Sequence, residues 1–491
     1  MNWETVIGLE VHVELATRSK LFCSCPNRFG EPPNSLVCPV CLGLPGVLPV
    51  VNRRAVEMLV LAARALNCQV APFSKFDRKH YFYPDMPKNF QISQYDLPLA
   101  TRGHLEVEVE GRTRRIGIRR IHLEEDTGKS VHHTLAAAGR LVSGRLGGSE
   151  LTLVDYNRAG VPLLEIVSEP DLRSPLEARE YFSALRELLR WLEVSDCKLE
   201  EGRMRCDANV SVRPAGSTRL GTKVEIKNIS SISAVATALA HEAARQVRLL
   251  EGGGRVVQET RGWDEESQTT LVLRSKEEAH DYRYFPEPDL PPLEVGAWVE
   301  GLEAGMPELP RQRLLRYREV LGLPPGDCGV LVSSRAFSDF FEAALAAGGE
   351  PRETANLLVN EVRALMNQSG IPLEASRLGP EQLAGTVRLI SEGKVSKKAA
   401  RQILERLFTR GGQPEALMAE MGLGQISGEA DLLREVRSVL AEHPEPVADY
   451  RAGKEKALNV LVGQVMKRTR GRANPEAVRR LLQGALEDGR P

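Results

Sequence analysis

From the N-terminus to about Leu290, apolar and polar residues alternate in short stretches: VHVEL, HLEVEVE, RIHLEED, ELTLVDY, RCDANVSV and KVEIK. Period-two alternation sends successive side chains to opposite faces, so each stretch predicts a strand with one apolar and one polar face. Such strands belong in a largely antiparallel sheet, because strands buried on both faces of a parallel sheet read as continuous apolar runs. Glu110-Gly111-Arg112 predicts a tight return between two of them. Two helices interrupt the pattern, one from about Pro175 to Trp191 and one following Ser231 or Ser233 and stopping near Glu251 at three glycines. FPEPDLPPLEVG, from Phe285, is too rich in proline for either regular element and predicts a domain boundary. Beyond it RQRLLRYREVLG, ETANLLVNEVRALMNQSG and KKAARQILERLFTRGG carry helical periodicity, with a second break at Gly411-Gly412-Gln413-Pro414. The expected class is α+β. An N-terminal domain (1–292) is built on a largely antiparallel amphipathic sheet with flanking helices, followed by an all-helical domain (293–410) and a small helical tail domain (411–491).

Composition narrows the functional classes. The formal net charge is −1 over 491 residues, so a polyanionic partner must be met by a local basic patch. The start, MNWETVIGLEVH, has no basic segment followed by an apolar run, and no apolar stretch is long enough to span a bilayer; a cytoplasmic protein without membrane association is expected. Four of the eight cysteines fall in CSC and CPVC, within 23–41. Cys23, Cys25, Cys38 and Cys41 can close a tetrahedral shell around a structural Zn²⁺, with no position left for substrate. The alternative is four free thiols in a loop rich in glycine and proline. Cys68, Cys197, Cys206 and Cys328 read as small core residues.

Candidate chemistry lies on the polar faces. IGLEVHVEL sets Glu10, His12 and Glu14 in one row while Leu9, Val11 and Val13 face the core. Alone, that row reads as a solvated face. Other strands add His122, Glu124, Glu125 and Asp126, then Asp207, Asn209 and Ser211, then Glu225 and Lys227. If they share a sheet, its polar face offers hard oxygen ligands suited to Mg²⁺ and a lysine counter-charge for phosphate. Strict alternation with Ile121 and Leu123 inward puts Glu124, not Glu125, on that face. DTGKS at Asp126 is not a P-loop, because the first glycine of that motif falls at Leu123.

In VDYNRAGVPLLEIVSEPDL, composition leaves open whether Asn157, Arg158 and Glu165 are ligands or turn hydrogen-bonders. The proline-punctuated stretch from Asp77 combines Lys79, His80, Tyr81, Tyr83 and Lys88, as suits stacking and charge contacts with a nucleic-acid end; an Ω-loop with buried aromatics is the other reading. Lys467, Arg468, Arg470 and Arg472 in MKRTRGRANP form a cluster of the kind that footprints a phosphate backbone, or an ordinary solvated helix end.

At these residues the chain resembles the B-subunit (GatB) family of tRNA-dependent amidotransferases. The resemblance rests on IGLEVHVEL, CSCPN with CPVCLGLPGVLP, RKHYFYPDMPKNFQISQYD, IHLEEDTGK, VDYNRAGVPLLEIVSEPD, RCDANVSVR, EIKNISS, DYRYFPEPDLPPL and GQVMKRTRGRANP, which span the whole length. It implies a cradle-shaped catalytic domain, a helical domain and a tail that holds tRNA. It also implies that ATP phosphorylates the side-chain carboxylate of Glu-tRNA(Gln) or Asp-tRNA(Asn), and that ammonia from an amidase-family glutaminase partner displaces the phosphate. A small third protein braces that pair, making a heterotrimer.

Carried over by position, Glu10, His12 and Glu125 become Mg²⁺ ligands; a bulge or a strand end would reconcile Glu125 with the parity that favours Glu124. Asp207, Asn209, Glu225 and Lys227 become the second tier around the nucleotide, with Lys227 joining Glu10, His12, Glu124 and Glu125 as catalytic. Lys79, Tyr83 and Lys88, with the tail cluster, become tRNA contacts. The sequence offers no Ser-Lys or Cys-His pair in a nucleophile setting, which fits ammonia arriving from elsewhere. Rival readings are a non-catalytic, zinc-bearing tRNA-binding module and a metal-dependent phosphohydrolase acting on small molecules.

Overall fold

The computed structural model describes residues 2–136, 140–143, 149, 151–275, 281–425, 429–469 and 472–487. The chain divides into two compact units, Met1–Leu309 and Pro310–Pro491.

The first unit is organised by nine strands: β1 (Trp3–Glu14), β2 (Gln69–Val70), β3 (Ala100–Val109), β4 (Arg112–Glu125), β5 (Pro162–Ser168), β6 (Met204–Pro214), β7 (Val224–Ile229), β8 (Glu259–Asp264) and β9 (Thr269–Ser275). Their spatial order is β9-β8-β7-β6-β1-β5-β4-β3-β2. Neighbours are antiparallel except β7 and β8, which run parallel and are joined through a helical crossover, as parallel neighbours require. The return at Glu110-Gly111 links β3 to β4 with Val109 opposite Arg112. Both turn residues take positive φ, 50° and 75°, which matches the right-handed twist of the flanking strands.

Three helices, α1 (Arg53–Ala65), α2 (Pro175–Trp191) and α3 (Ile232–Glu251), share one core with Ile7, Leu9, Val11 and Val13 of β1. The Ser174 hydroxyl caps α2 by accepting from Glu177 N at 3.1 Å, and Ser231 caps α3 through Ala234 N at 3.1 Å. Helix α1 was not expected. Its residues Ala55, Val56, Met58, Leu59, Val60, Ala62, Ala63 and Ala65 are buried, while Arg53, Arg54, Glu57 and Arg64 mark the opposite, polar side.

Three expectations need correcting. ELTLVDY is a strand, but Leu151–Asp155 pairs with Lys129–Ala136 in a separate three-stranded sheet. FPEPDLPPLEVG does not end the first unit: Phe285–Pro286 pairs with Asp77–His80, Leu293–Glu294 pairs with Phe73–Ser74, and Leu290, Leu293 and Val295 enter the first core. Pro286 sits in a short edge pairing, where a missing N–H is tolerated, and Pro288, Pro291 and Pro292 fall in the turn between the two pairings. In the second unit, helix Pro414–Glu420 follows the Gly411-Gly412 break yet packs Leu417 and Met418 on a core running from Tyr317 to Phe408. A separate core, from Leu432 to Leu486, holds the last helices together. Among the described residues no helix is long and apolar enough to cross a membrane.

Candidate functional site

Strand register builds the site. β1 lies between β6 and β5, so His12 stands opposite Arg205 on one side and Glu165 on the other, and Glu165 in turn stands opposite His122 of β4. One step along, Glu10 is opposite Asp207 and Leu163 is opposite Glu124. Side chains of these alternate positions emerge on one face. His12 Nε2 lies 3.3 Å from Glu165 Oε2 and 3.8 Å from Glu124 Oε1, and His122 Nε2 lies 3.6 Å from Glu165 Oε2 and 3.9 Å from Glu124 Oε2. Ligand atoms of His12, Glu124 and Glu165 all fall within 4.8 Å of one another. Their side chains are only 18%, 4% and 10% exposed, which rules out an ordinary solvated face.

Burying carboxylates raises their pKa unless neighbours answer. Here they do. Burial opposes ionisation of Glu124, but the His122 hydrogen bond, Lys79 and His12 bring its pKa below the usual range. Glu165 is held well below that range against burial by His122, His12 and Arg120, whose guanidinium donates to Glu165 Oε1 at 3.3 Å. For His12, burial disfavours the cation, yet Glu165 and Glu124 raise its pKa. Glu10 is raised by burial and by Glu165.

Glu10 connects this cluster to a second. Asn209 Nδ2 donates to Glu10 Oε1 at 3.3 Å, Lys227 Nζ donates to Asp207 Oδ2 at 2.6 Å and sits 3.4 Å from Glu225 Oε1, and the Thr260 hydroxyl donates to Glu225 at 2.6 Å. The expected second tier is therefore contiguous with the first through Glu10.

Glu125 lies elsewhere. The β4–β5 register runs unbroken from Ile121 to Glu125, with its irregularity at Val167 and Ser168, so no bulge turns Glu125 toward His12. Its carboxylate pairs with Lys88 and accepts from Ile92 N at 2.9 Å, in a cavity of about 170 Å³ also lined by Cys41, Arg78 and Glu287. Strand parity, not the positional carry-over, matches this placement. Lys88 is likewise buried beside Glu125 and is not presented as a surface contact for tRNA. Glu165 and His122 were seen in the sequence but not singled out. The available signal was Glu165 itself, one acid in a wholly buried strand.

Lys79 is half-buried beside the cluster, its Nζ 5.0 Å from the centre of the Tyr282 ring; burial disfavours its charge, but Glu124, Tyr284 and Glu165 raise its pKa. Tyr83 is exposed and stacks on Tyr81. In the tail, Lys467 and Arg472 are exposed, while Arg468 donates to Glu435 and Glu442 at 2.7 Å each. Arg470 lies outside the described residues.

The four clustered cysteines converge too, with all Sγ atoms within 4.8 Å. A tetrahedral shell with Zn–S of about 2.3 Å needs S···S separations of roughly 3.8 Å, so small adjustments would close it. Cys41 is the most acidic, lowered to about 4 by hydrogen bonding with Cys23, despite burial, and further by Cys38 N–H and Lys20; burial raises Cys25 to about 11. Lys20 is fully buried, its Nζ 3.7 Å from Cys41 Sγ and donating to Tyr156 O at 3.3 Å. A buried ammonium needs a compensating charge. A metal tetrathiolate, with its net negative charge, supplies one, so the residues fit zinc. Cys68, Cys197, Cys206 and Cys328 are buried free thiols.

Sequence comparison defines the class. Residues 5–300 match the family model described as the GatB/GatE catalytic domain, and residues 339–486 match the GatB domain. The chain is 53% identical over 486 residues to the B subunit of the aspartyl/glutamyl-tRNA(Asn/Gln) amidotransferase of Carboxydothermus hydrogenoformans, covering 99% of both chains. Against the corresponding protein of Moorella thermoacetica it is 55% identical over 487 residues, covering 99% of this chain and all of the other. Against that of Thermosynechococcus vestitus it is 50% identical over 495 residues, covering 100% and 97%. The chain belongs to the GatB family of amidotransferase subunits.

Proposed function

We propose that this chain carries the kinase and transamidase site of a tRNA-dependent amidotransferase, acting on Glu-tRNA(Gln), Asp-tRNA(Asn) or both. The observation that carries the proposal is the convergence of His12, Glu124 and Glu165 on one face of the sheet, contiguous through Glu10 with Asp207 and Lys227. A carboxylate is a poor acyl donor until one oxygen becomes a leaving group. ATP provides that by phosphorylation. Ammonia from an amidase-family glutaminase partner, in a complex braced by a small third protein, then replaces the phosphate.

Phosphoryl transfer depends mainly on positioning and charge neutralisation. Glu124, Glu165 and His12, with Glu10 beside them, offer the oxygen and nitrogen donors that would hold Mg²⁺. When bound, that ion would neutralise phosphate charge. His122 and Arg120 keep the two carboxylates ionised and oriented. Lys227 exchanges its contacts with Asp207 and Glu225 for phosphate oxygens. Zn²⁺ at the four cysteines has a structural role, and the exposed tail cations Lys467 and Arg472 contact tRNA in the cytoplasm.

The test is tRNA-dependent ATP turnover and amide formation in the assembled complex, with Glu-tRNA(Gln) and Asp-tRNA(Asn) supplied separately. His12→Ala and Glu165→Gln should abolish both while glutamine hydrolysis by the partner persists. Normal amide formation by either variant would refute the assignment.

A further inference from the structure

A buried ammonium is tolerated only where an opposite charge answers it. Lys20 has no exposed surface, and among the described residues no carboxylate pairs with it: its Nζ reaches Cys41 Sγ at 3.7 Å and Tyr156 O at 3.3 Å. The sulfur shell therefore supplies the answering charge. Sulfur, unlike a carboxylate, can lose that charge by oxidation.

A route to the sulfurs is present. The cavity of about 170 Å³ beside Glu125 is also walled by Cys23 and Cys41, and by the exposed residues Gly43 and Leu44, so it opens to solvent. It has room for a molecule the size of hydrogen peroxide. Cys23 and Cys41 come from different knuckles, are hydrogen-bonded to each other, and hold their Sγ atoms within 4.8 Å. A small oxidant entering the cavity meets this pair first.

We propose that the four-cysteine knuckle is a peroxide-sensitive switch: Cys23 and Cys41 close into a disulfide, release zinc and strand the Lys20 ammonium, which opens its loop. This rests on the zinc shell assigned above. One thiolate attacks a peroxide oxygen, breaking the O–O bond to give a sulfenic acid and hydroxide; the other thiolate attacks that sulfur, forming S–S and expelling a second hydroxide. Two electrons pass from sulfur to peroxide, and protons from solvent turn both hydroxides into water. Cys25 and Cys38 are left, too few to close a tetrahedral shell. With the charge on Cys41 gone, the ammonium must move toward water.

That movement is not confined to the knuckle. Lys20 N donates to Cys25 O at 3.0 Å, Leu21 N donates to Gly160 O at 2.8 Å, and Gly160 N donates to Asp126 O at 2.9 Å. Opening therefore loosens the end of β4, two residues beyond Glu124, and slows amide formation while the partner's glutaminase continues.

The experiment treats the zinc-loaded full chain with hydrogen peroxide. Zinc should appear on a chromogenic chelator in step with the loss of two thiols per chain, peptide mapping should find Cys23 joined to Cys41, and a dithiol with added zinc should restore the starting state. Amide hydrogen exchange at Leu21 and Gly160 reads the loop, and should quicken roughly tenfold or more in the oxidised chain. The zinc-stripped but reduced chain keeps the Cys41 thiolate beside Lys20, and oxidised Lys20→Met has no ammonium to strand; both should change by less than about threefold. Zinc retained in peroxide, or released with another cysteine pair joined, overturns the switch and leaves the shell in place. Equal exchange in the oxidised and the reduced metal-free wild type also overturns it, and that comparison requires no variant to fold. A chain that purifies without zinc overturns the shell and the switch together.

Discussion

The ion pair that fastens the proline-rich segment from Phe285 to the Asp77–His80 strand permits a quantitative test. Arg78 donates to both oxygens of Glu287, at 2.7 and 2.9 Å, and to Asp289 Oδ2 at 3.0 Å. Glu287 is completely buried and Arg78 is 21% exposed. The pair clamps Phe285–Pro286, just after Tyr284, to the strand carrying Lys79. Breaking a buried pair costs about 3–5 kcal/mol, because the remaining charge is stranded. After Glu287→Ala, Arg78 keeps Asp289 and some solvent, so we expect a loss of about 2–3 kcal/mol. Arg78→Met leaves the fully buried Glu287 carboxylate, among the described residues, with Asp289 N at 2.9 Å as its remaining donor, and should lose about 3–4 kcal/mol.

The double variant Arg78→Met/Glu287→Leu separates charge from packing. It strands no charge, and the introduced thioether chain would still fill the space against Phe90, whose ring Arg78 covers at 4.2 Å. It should fall within about 1–2 kcal/mol of wild type, since well-packed apolar replacements of buried pairs are often neutral. The assay is urea unfolding followed by tryptophan fluorescence. All four tryptophans, Trp3, Trp191, Trp263 and Trp298, belong to the first unit, so the signal reports that unit alone. A double variant as unstable as the sum of the singles, or a Glu287→Ala protein within about 0.5 kcal/mol of wild type, would refute the charge argument.

Other consequences can be checked alongside. Cys38→Ser should purify with little bound zinc and with a destabilised first unit; full zinc occupancy would contradict the four-sulfur shell. Lys20→Met, which removes the buried ammonium at Cys41, should release zinc to a chelator roughly 10–100-fold more readily, and an unchanged release curve would show that the ammonium does not hold the site. In the tail, Lys467→Ala should weaken tRNA binding and make it less salt-dependent, whereas Arg468→Ala, already committed to Glu435 and Glu442, should change affinity less; the reverse order would displace the contact surface. Gly103→Ala should severely destabilise the first unit in a melting experiment, because its Cβ would fall 2.2 Å from Cys68 Sγ and 2.6 Å from Leu66 O; a wild-type melting curve would show the backbone yields there.

What the sequence made legible was local periodicity. Alternation in IGLEVHVEL gave the inward and outward faces of β1, and of the two starts offered for α3, Ser231 and Ser233, the capping hydrogen bond falls at Ser231. Parity also placed Glu124, and not Glu125, toward His12. Features that depend on distant packing were not legible. The proline-rich segment at Phe285 looks like a linker because nothing local reveals that Asp77–His80 waits beside it. Glu165 was visible as an acid in an apolar strand, but its role depends on cross-strand register with His12 and His122, which one strand alone does not encode.

That same register links the four-cysteine knuckle to the strand that carries Glu124. Consecutive acids at the end of β4 face opposite ways: Glu124 toward His12, and Glu125 toward Lys88 and a cavity that Cys41 also lines. Gly160 sits at the junction on its other side. A Cβ added there would meet Cys41 Cβ at 3.4 Å, Lys20 Cδ at 3.5 Å and Glu125 Oε2 at 3.8 Å, and its φ of +84° suits glycine. The backbone is tied in as well, through Leu21 N to Gly160 O at 2.8 Å and Gly160 N to Asp126 O at 2.9 Å. Movement of the knuckle therefore presses on the strand end that positions Glu124, because a close-packed interior transmits displacement instead of absorbing it. A structural metal at these cysteines would act on the reaction by fixing where β4 ends. Its loss should then reduce turnover through misplacement of Glu124, with glutamine hydrolysis by the partner left unchanged.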